Sequence, residues 1–160
     1  MRVRSFGNRR GLTAVELIAA AGVLMVLMSI AIPLKRWDEK RRREEELRLE
    51  LQMMREAIDQ YNKLVNEGRI QQKDVEQHGY PVDMDELVDG VDVGDPQSGK
   101  THKVRFLFKI PTDPFTGEAE WGKRSYQDDW DSRSWGGENL YDVYSLSELK
   151  ALDGTYYKDW

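Results

Sequence analysis

Few side chains in this sequence have the types and spacing that chemistry needs. Cysteine is absent, which closes the chain to thiolate catalysis and disulfides. His78 and His102 lack the helical spacing of a metal pair and read as surface residues. Asp83, Asp85, Asp89, Asp92 and Asp95 bring hard oxygen ligands together, the raw material of a cation site. Their spacing fits no calcium loop, and a solvated acidic segment accounts for them. No nucleophile lies beside a base, and no glycine loop could cradle phosphate. Among 29 Asp and Glu residues scattered carboxylates are unavoidable, so they do not define a general acid and base, and the reading is a protein that is not an enzyme. One carboxylate stands apart by its setting. Glu16 interrupts an apolar run from Gly11 to Leu34, and an ionised carboxylate at the edge of hydrocarbon is costly unless something compensates it.

The elements that position Glu16 follow from that run. Leu17 to Leu34 carries no charge over 18 residues, roughly 27 Å of helix and close to a bilayer's hydrocarbon thickness. Arg2, Arg4, Arg9 and Arg10 precede it, so the N-terminus has the parts of a secretory signal. Two fates are open. A cut after Ser29-Ile30-Ala31 would discard the run and release a soluble body, whereas a cut after Gly11 would keep the helix. The net charge of −5 becomes −9 without the first four arginines. A chain that acidic lacks the basic face that sequence-independent nucleic-acid binding requires.

Gly11-Leu12-Thr13-Ala14-Val15-Glu16, after arginines and before about twenty apolar residues, resembles the class III signal of type IV prepilins and type II secretion pseudopilins. The resemblance implies cleavage between Gly11 and Leu12 by a prepilin peptidase and N-methylation of Leu12. It gives Glu16 a role in assembly, neutralising the terminal ammonium of a neighbouring subunit, and it matches Pro33 to the family's helix-breaking proline. Leu12 replaces the usual phenylalanine, and Ala14-Val15 replaces two larger aliphatics. The resemblance implies residues 1–11 as leader, 12–34 as a transmembrane and filament-core helix, 35–66 as a stalk helix and 67–160 as a globular periplasmic head. The run is flanked by four positive residues before it and six after it, and this count alone favours the opposite orientation. The processing motif nevertheless requires a cytoplasmic N-terminus.

From Lys35 to Asn66 there is no glycine or proline, so the helix continues. Leu47, Leu51, Met54, Ile58, Tyr61 and Val65 recur at three- and four-residue spacings and form one stripe, the seam against a head. Lys40 with Glu44, Arg41 with Glu45 and Arg42 with Glu46 stand one turn apart. They form either a solvated surface or a contact between subunits. Gly68 is expected to cap the helix in the left-handed region. Asp83 and Glu86 bracket a short helix through Val88. Val104–Ile110, Glu118–Trp121 and Leu140–Ser145 read as strands, and Pro111 to Gly117 as a connector rich in turns. Residues 128–137 read as an exposed loop, and Leu146 to Ala151 is helix-like. Nine of sixteen aromatics lie between Trp121 and Trp160; they supply either a head core or a ligand platform.

The Tyr80-Pro81 step, the Pro111-x-Asp113-Pro114-aromatic-x-Gly117 element and the C-terminus are similar to major pseudopilins. The similarity implies an α+β, type IV pilin-like fold: a long N-terminal helix, half transmembrane and half amphipathic, packed on a small antiparallel sheet. It also implies a structural calcium ion, for which Asp153 and Asp159 are the matching candidates; no other cofactor is expected. The partners implied are copies of the chain itself, prepilin peptidase, an inner-membrane assembly platform and minor pseudopilins. The implied location is the bacterial inner membrane in a single pass, and then a filament spanning the periplasm. Two other readings stay open: a type IV pilin of a surface filament, and a membrane-tethered or secreted binding domain.

Overall fold

The computed structural model describes residues 13–72, 74–97 and 99–160, with the backbone alone over 29–34. Helix α1 spans Ala14–Asn66, 53 residues. It ends as the sequence predicts. Gly68 adopts φ +70°, its N–H bonds the Val65 carbonyl at 2.8 Å, and Arg69 N–H bonds the Leu64 carbonyl at 2.9 Å. These two bonds form a Schellman cap. The chain divides into two compact units, the first ending at Lys40 and the second comprising Arg41–Trp160.

Among the described residues no helix is long and apolar enough to cross a membrane. Of the uncharged run, the residues with described side chains are Leu17–Met28; Ser29–Leu34 lie outside them.

In the second unit the C-terminal half of α1 lays its stripe on the head. Leu47, Leu51, Met54, Ile58 and Tyr61 are each at most 2% exposed. They pack with Met84, Leu87, Val93, Leu107, Trp121, Leu140, Val143 and Tyr157 in one core. A 3₁₀ turn at Val75–Gln77 and helix α2, Met84–Asp89, follow. Asp83 accepts the Met84 N–H at 2.6 Å, and Glu86 reaches back to the Val82 N–H at 2.8 Å. Glu86 therefore lands one residue before the expected cap, and its other oxygen accepts the Tyr61 hydroxyl at 3.1 Å.

The described sheet structure is two separate antiparallel pairs: β1, Val91–Gly94, with β2, Thr101–Val104, and β3, Gly122–Arg124, with β4, Asp142–Tyr144. Val91 faces Val104 in the first pair, and Gly122 faces Tyr144 in the second. A side chain at Gly122 would run into the Tyr144 ring, which would have to move to admit it.

Three sequence expectations are corrected. Val104–Ile110 is not a strand beyond its first residue: the Phe106 and Leu107 N–H groups both bond the Leu87 carbonyl at 3.0 Å, a free group at the end of α2. Inward alternation fails there too, because Phe106 and Leu107 both contribute to the core and Phe108 stands in solvent. Glu118–Trp121 is bend and irregular chain: the Glu118 carbonyl accepts the Asp113 N–H at 2.9 Å from its own connector, and strand begins only at Gly122. Leu146–Ala151 is not helical. The Ser145 hydroxyl accepts the Ser147 N–H at 3.1 Å, and the Ser147 hydroxyl accepts the Leu149 N–H at 3.4 Å, so side chains hold the backbone groups that a helix would use. Of the five acids, Asp92 stands exposed on β1.

Candidate functional site: the N-terminal helix and the C-terminal clasp

At the start of α1 the Thr13 hydroxyl accepts the Glu16 N–H at 3.3 Å, and the Thr13 carbonyl accepts the Leu17 N–H at 3.1 Å. Thr13-x-x-Glu16 is thus a helix-start signature that the sequence already contained. An acid in the first turn also faces the positive end of the helix dipole. The bond to Thr13 uses the Glu16 backbone, and the acid itself is favoured there by its place in the first turn. The apolar side chains that follow are bare, from Leu17 at 56% to Val15 at 77% exposed. Gly11 and Leu12, the expected processing bond, lie outside the described residues, as does the side chain of Pro33.

In the second unit, α1 grips the C-terminal segment through two charged side chains eleven residues apart, about three turns and so on one face. Glu44 is only 9% exposed, and one of its oxygens accepts both the Leu152 N–H and the Tyr157 hydroxyl at 2.8 Å. Burial, and next the hydrogen bond to Glu44, push the Tyr157 hydroxyl above the ordinary tyrosine range. Arg55 donates to Asp142 Oδ1 at 2.8 Å, to the Val143 carbonyl at 2.9 Å and to the Trp160 carbonyl at 2.8 Å. Asp142 is shared with Arg124 at 3.0 Å. The Tyr157 ring stacks on Phe115 at 3.9 Å and meets Trp160 edge-on, and Arg48 lies 3.9 Å over the Trp160 ring. Burial and charge-assisted hydrogen bonds together fix the C-terminal segment to the helix.

Sequence reasoning missed both gripping residues. The signal for Glu44 was present: continuing the stripe three residues back from Leu47 lands on it. In the charge block, Arg41 and Glu45 stand 3.9 Å apart with both side chains exposed, a pair of small energetic weight.

The connector after Pro111 is organised by Asp113, which is fully buried. Its carboxylate accepts the Phe115 N–H at 2.7 Å and the Ser145 hydroxyl at 2.6 Å. Near it Glu50 holds an oxygen, Oε2, that is buried without a hydrogen-bond partner. Burial first, and then the neighbouring charges of Glu46 and Asp113, push the Glu50 carboxyl up to about 7 against the opposing pull of Lys109.

The candidate calcium ligands take different partners. Asp153 accepts the Thr155 N–H at 2.9 Å and its hydroxyl at 2.6 Å, bonds that hold its carboxyl below the usual range, and Arg48 stands 3.8 Å away. Asp159 accepts from Arg133 at 2.6 Å. Among the described residues no group of three or more His, Cys, Asp or Glu side chains could hold a metal ion. His78 and His102 are exposed, as the sequence reading expects.

Compared with known proteins, the chain matches no family model, no curated protein sequence and no solved structure.

Proposed function

We propose that this chain is a structural subunit of a pseudopilus, a helical filament that drives type II protein secretion. The observation that carries the reading is the division of labour along α1. Residues Val15 to Met28 expose every large apolar side chain, whereas Leu47 to Tyr61 bury one stripe on the chain's own head. A bare apolar helix requires a cover. Lipid supplies it while the subunit waits in the inner membrane, and copies of the same helix supply it in the filament, where heterologous contacts that do not close generate a rod. Cleavage between Gly11 and Leu12 frees an ammonium group for which Glu16 of a neighbour is the counter-charge, and removing one member of such a pair costs about 3 to 5 kcal/mol. The absence of cysteine favours this reading over an external type IV pilin, a class that often closes its C-terminal region with a disulfide.

The deciding measurement is the mass of the mature N-terminal peptide. A start at methylated Leu12 is expected. A start at Ile32 would mean that the helix is discarded, and the filament reading would fall.

A further inference from the structure

Beside the end of α1 the chain forms a cavity of about 650 Å³, a volume usual for small-molecule sites. Its apolar lining is Tyr61 and Ile70, both buried, and the half-buried Val91. Bonds between elements hold its frame. Arg69 donates from Nε to the Gly94 carbonyl at 3.1 Å, and its own carbonyl accepts the Gly94 N–H at 2.8 Å, which ties the turn after α1 to the end of β1. Gln72 donates to the Tyr80 carbonyl at 2.7 Å and accepts the Gly79 N–H at 2.9 Å. The Tyr61 hydroxyl is engaged by Glu86. A cavity framed in this way has much of its ordering cost met before any ligand arrives.

Three other polar side chains line it without such a task. Asp92 on β1 and Lys103 on β2 are exposed and stand directly opposite each other in the register. Gln77 is half-buried at the 3₁₀ turn. Among the described residues none of these three side chains makes a hydrogen bond or ion pair. Directly opposite residues of an antiparallel pair have Cβ atoms about 5 Å apart, so one wall presents a carboxylate and an ammonium side by side. Charges this exposed gain little from each other, which leaves both open to a ligand. An anion drawn to Lys103 meets the carboxylate beside it, and a cation drawn to Asp92 meets the ammonium. Only a molecule carrying both signs satisfies both. We propose that this cavity binds a small zwitterion of the amino-acid class, a free amino acid or a dipeptide. Its carboxylate pairs with Lys103, its ammonium with Asp92, and an apolar side chain lies on Tyr61, Ile70 and Val91. The Gln77 amide takes a remaining donor or acceptor. Every lining residue belongs to the second unit, so the site stands or falls apart from the filament reading.

Equilibrium dialysis of the full-length, detergent-solubilised chain against radiolabelled L-leucine and L-leucyl-L-leucine reads binding directly. We expect retention, and whichever probe is held more tightly separates a single residue from a peptide as the source. Two unlabelled competitors test the charges: the N-acetyl form of the retained probe lacks the ammonium, and its amide lacks the carboxylate. Each should compete at least about tenfold more weakly than the parent, the scale of one lost hydrogen bond to a charged group. Asp92→Asn and Lys103→Met should each weaken retention by about the same factor. Asp92→Asn should nevertheless hold the N-acetyl form as well as the natural chain does, because that form has no ammonium to lose. Thermal melts check that both variants fold, and the competitors on the natural chain decide the matter if one does not. Retention of neither probe overturns the proposal. So do blocked forms that compete as well as the parent, or folded variants that retain the natural amount.

Discussion

Glu50 offers the sharpest quantitative test of how the head is held on α1. Its carboxyl is pushed from an ordinary 4.5 to about 7, so the folded chain binds a proton there more tightly than the unfolded chain does. Stability from this group is therefore greatest below pH 4.5, falls as pH rises, and reaches its floor above pH 7. At about 1.4 kcal/mol for each pH unit, the rise sets a ceiling of about 3 kcal/mol. Glu50 is only partly buried, and solvent screening reduces the figure to roughly 1 kcal/mol. Glu50→Gln keeps the shape and removes the charge. It should be about 1 kcal/mol more stable than the natural chain at pH 8, which corresponds to roughly 2 to 4 °C in melting temperature for a chain of this size. At pH 4 the two should melt together. The groups that face Glu50 are Glu46 on its own helix, Asp113 from the connector and Lys109 from the segment before it, so Lys109→Met should deepen the penalty at pH 8. Thermal melts from pH 4 to pH 9, followed by near-UV circular dichroism, read all three chains. If Glu50→Gln melts lower than the natural chain at pH 8, Glu50 is a stabilising anion with a partner, and the reasoning is refuted.

Tyr157→Phe removes only the hydroxyl donated to Glu44 and should cost about 1 to 2 kcal/mol by denaturant titration; an unchanged midpoint would show that the clasp contributes nothing. Arg55→Lys keeps the charge but loses the fork that reaches Asp142, Val143 and Trp160. The C-terminal segment should then become sensitive to limited proteolysis well before the rest of the head, with intact resistance as the contrary result. With Arg48 and Arg133 already beside Asp153 and Asp159, we expect calcium-loaded and chelator-treated chains to melt alike. A rise of several degrees with calcium would assign these two residues as its ligands. Gly122→Ala should destabilise by about 1 to 3 kcal/mol through collision with the Tyr144 ring, measured by the same melts; a neutral result would mean that β3 and β4 can move apart.

The parts of this fold legible in the sequence are those governed by local rules. The absence of glycine and proline from Lys35 to Asn66, the stripe from Leu47 to Val65 and the glycine at 68 each act within a few residues, and the helix, its buried seam and its cap lie where expected. Leu140–Ser145 holds as β4, whereas Val104–Ile110 and Glu118–Trp121 fail as strands because strand pairing depends on groups far away. VRFLFKI has the composition of a strand, yet the Leu87 carbonyl, contributed by α2, captures two of its N–H groups. LSELKA has helical composition, yet Ser145 and Ser147 occupy its backbone donors. Charged residues read as surface by default. Glu44 is buried because Tyr157, 113 residues later, donates a hydroxyl to it, and no window of sequence contains both.

Glu16 shows how the local and the distant readings of one residue can be told apart. On the sequence it demands a partner, since a carboxylate beside an apolar run is otherwise costly. Its place in the first turn of α1 now provides a reason for an acid at that position without any second chain, within the Thr-x-x-Glu pattern that starts helices. The two functions make different demands on the side chain. A helix start is served nearly as well by glutamine as by glutamate, whereas a counter-charge for an ammonium is not. Glu16→Gln should therefore leave the helical content of the full-length chain unchanged while abolishing its assembly, and Glu16→Asp should retain part of that assembly. If Glu16→Gln assembles like the natural chain, the helix start is the whole reason for the acid, and the charge pair has to be given up.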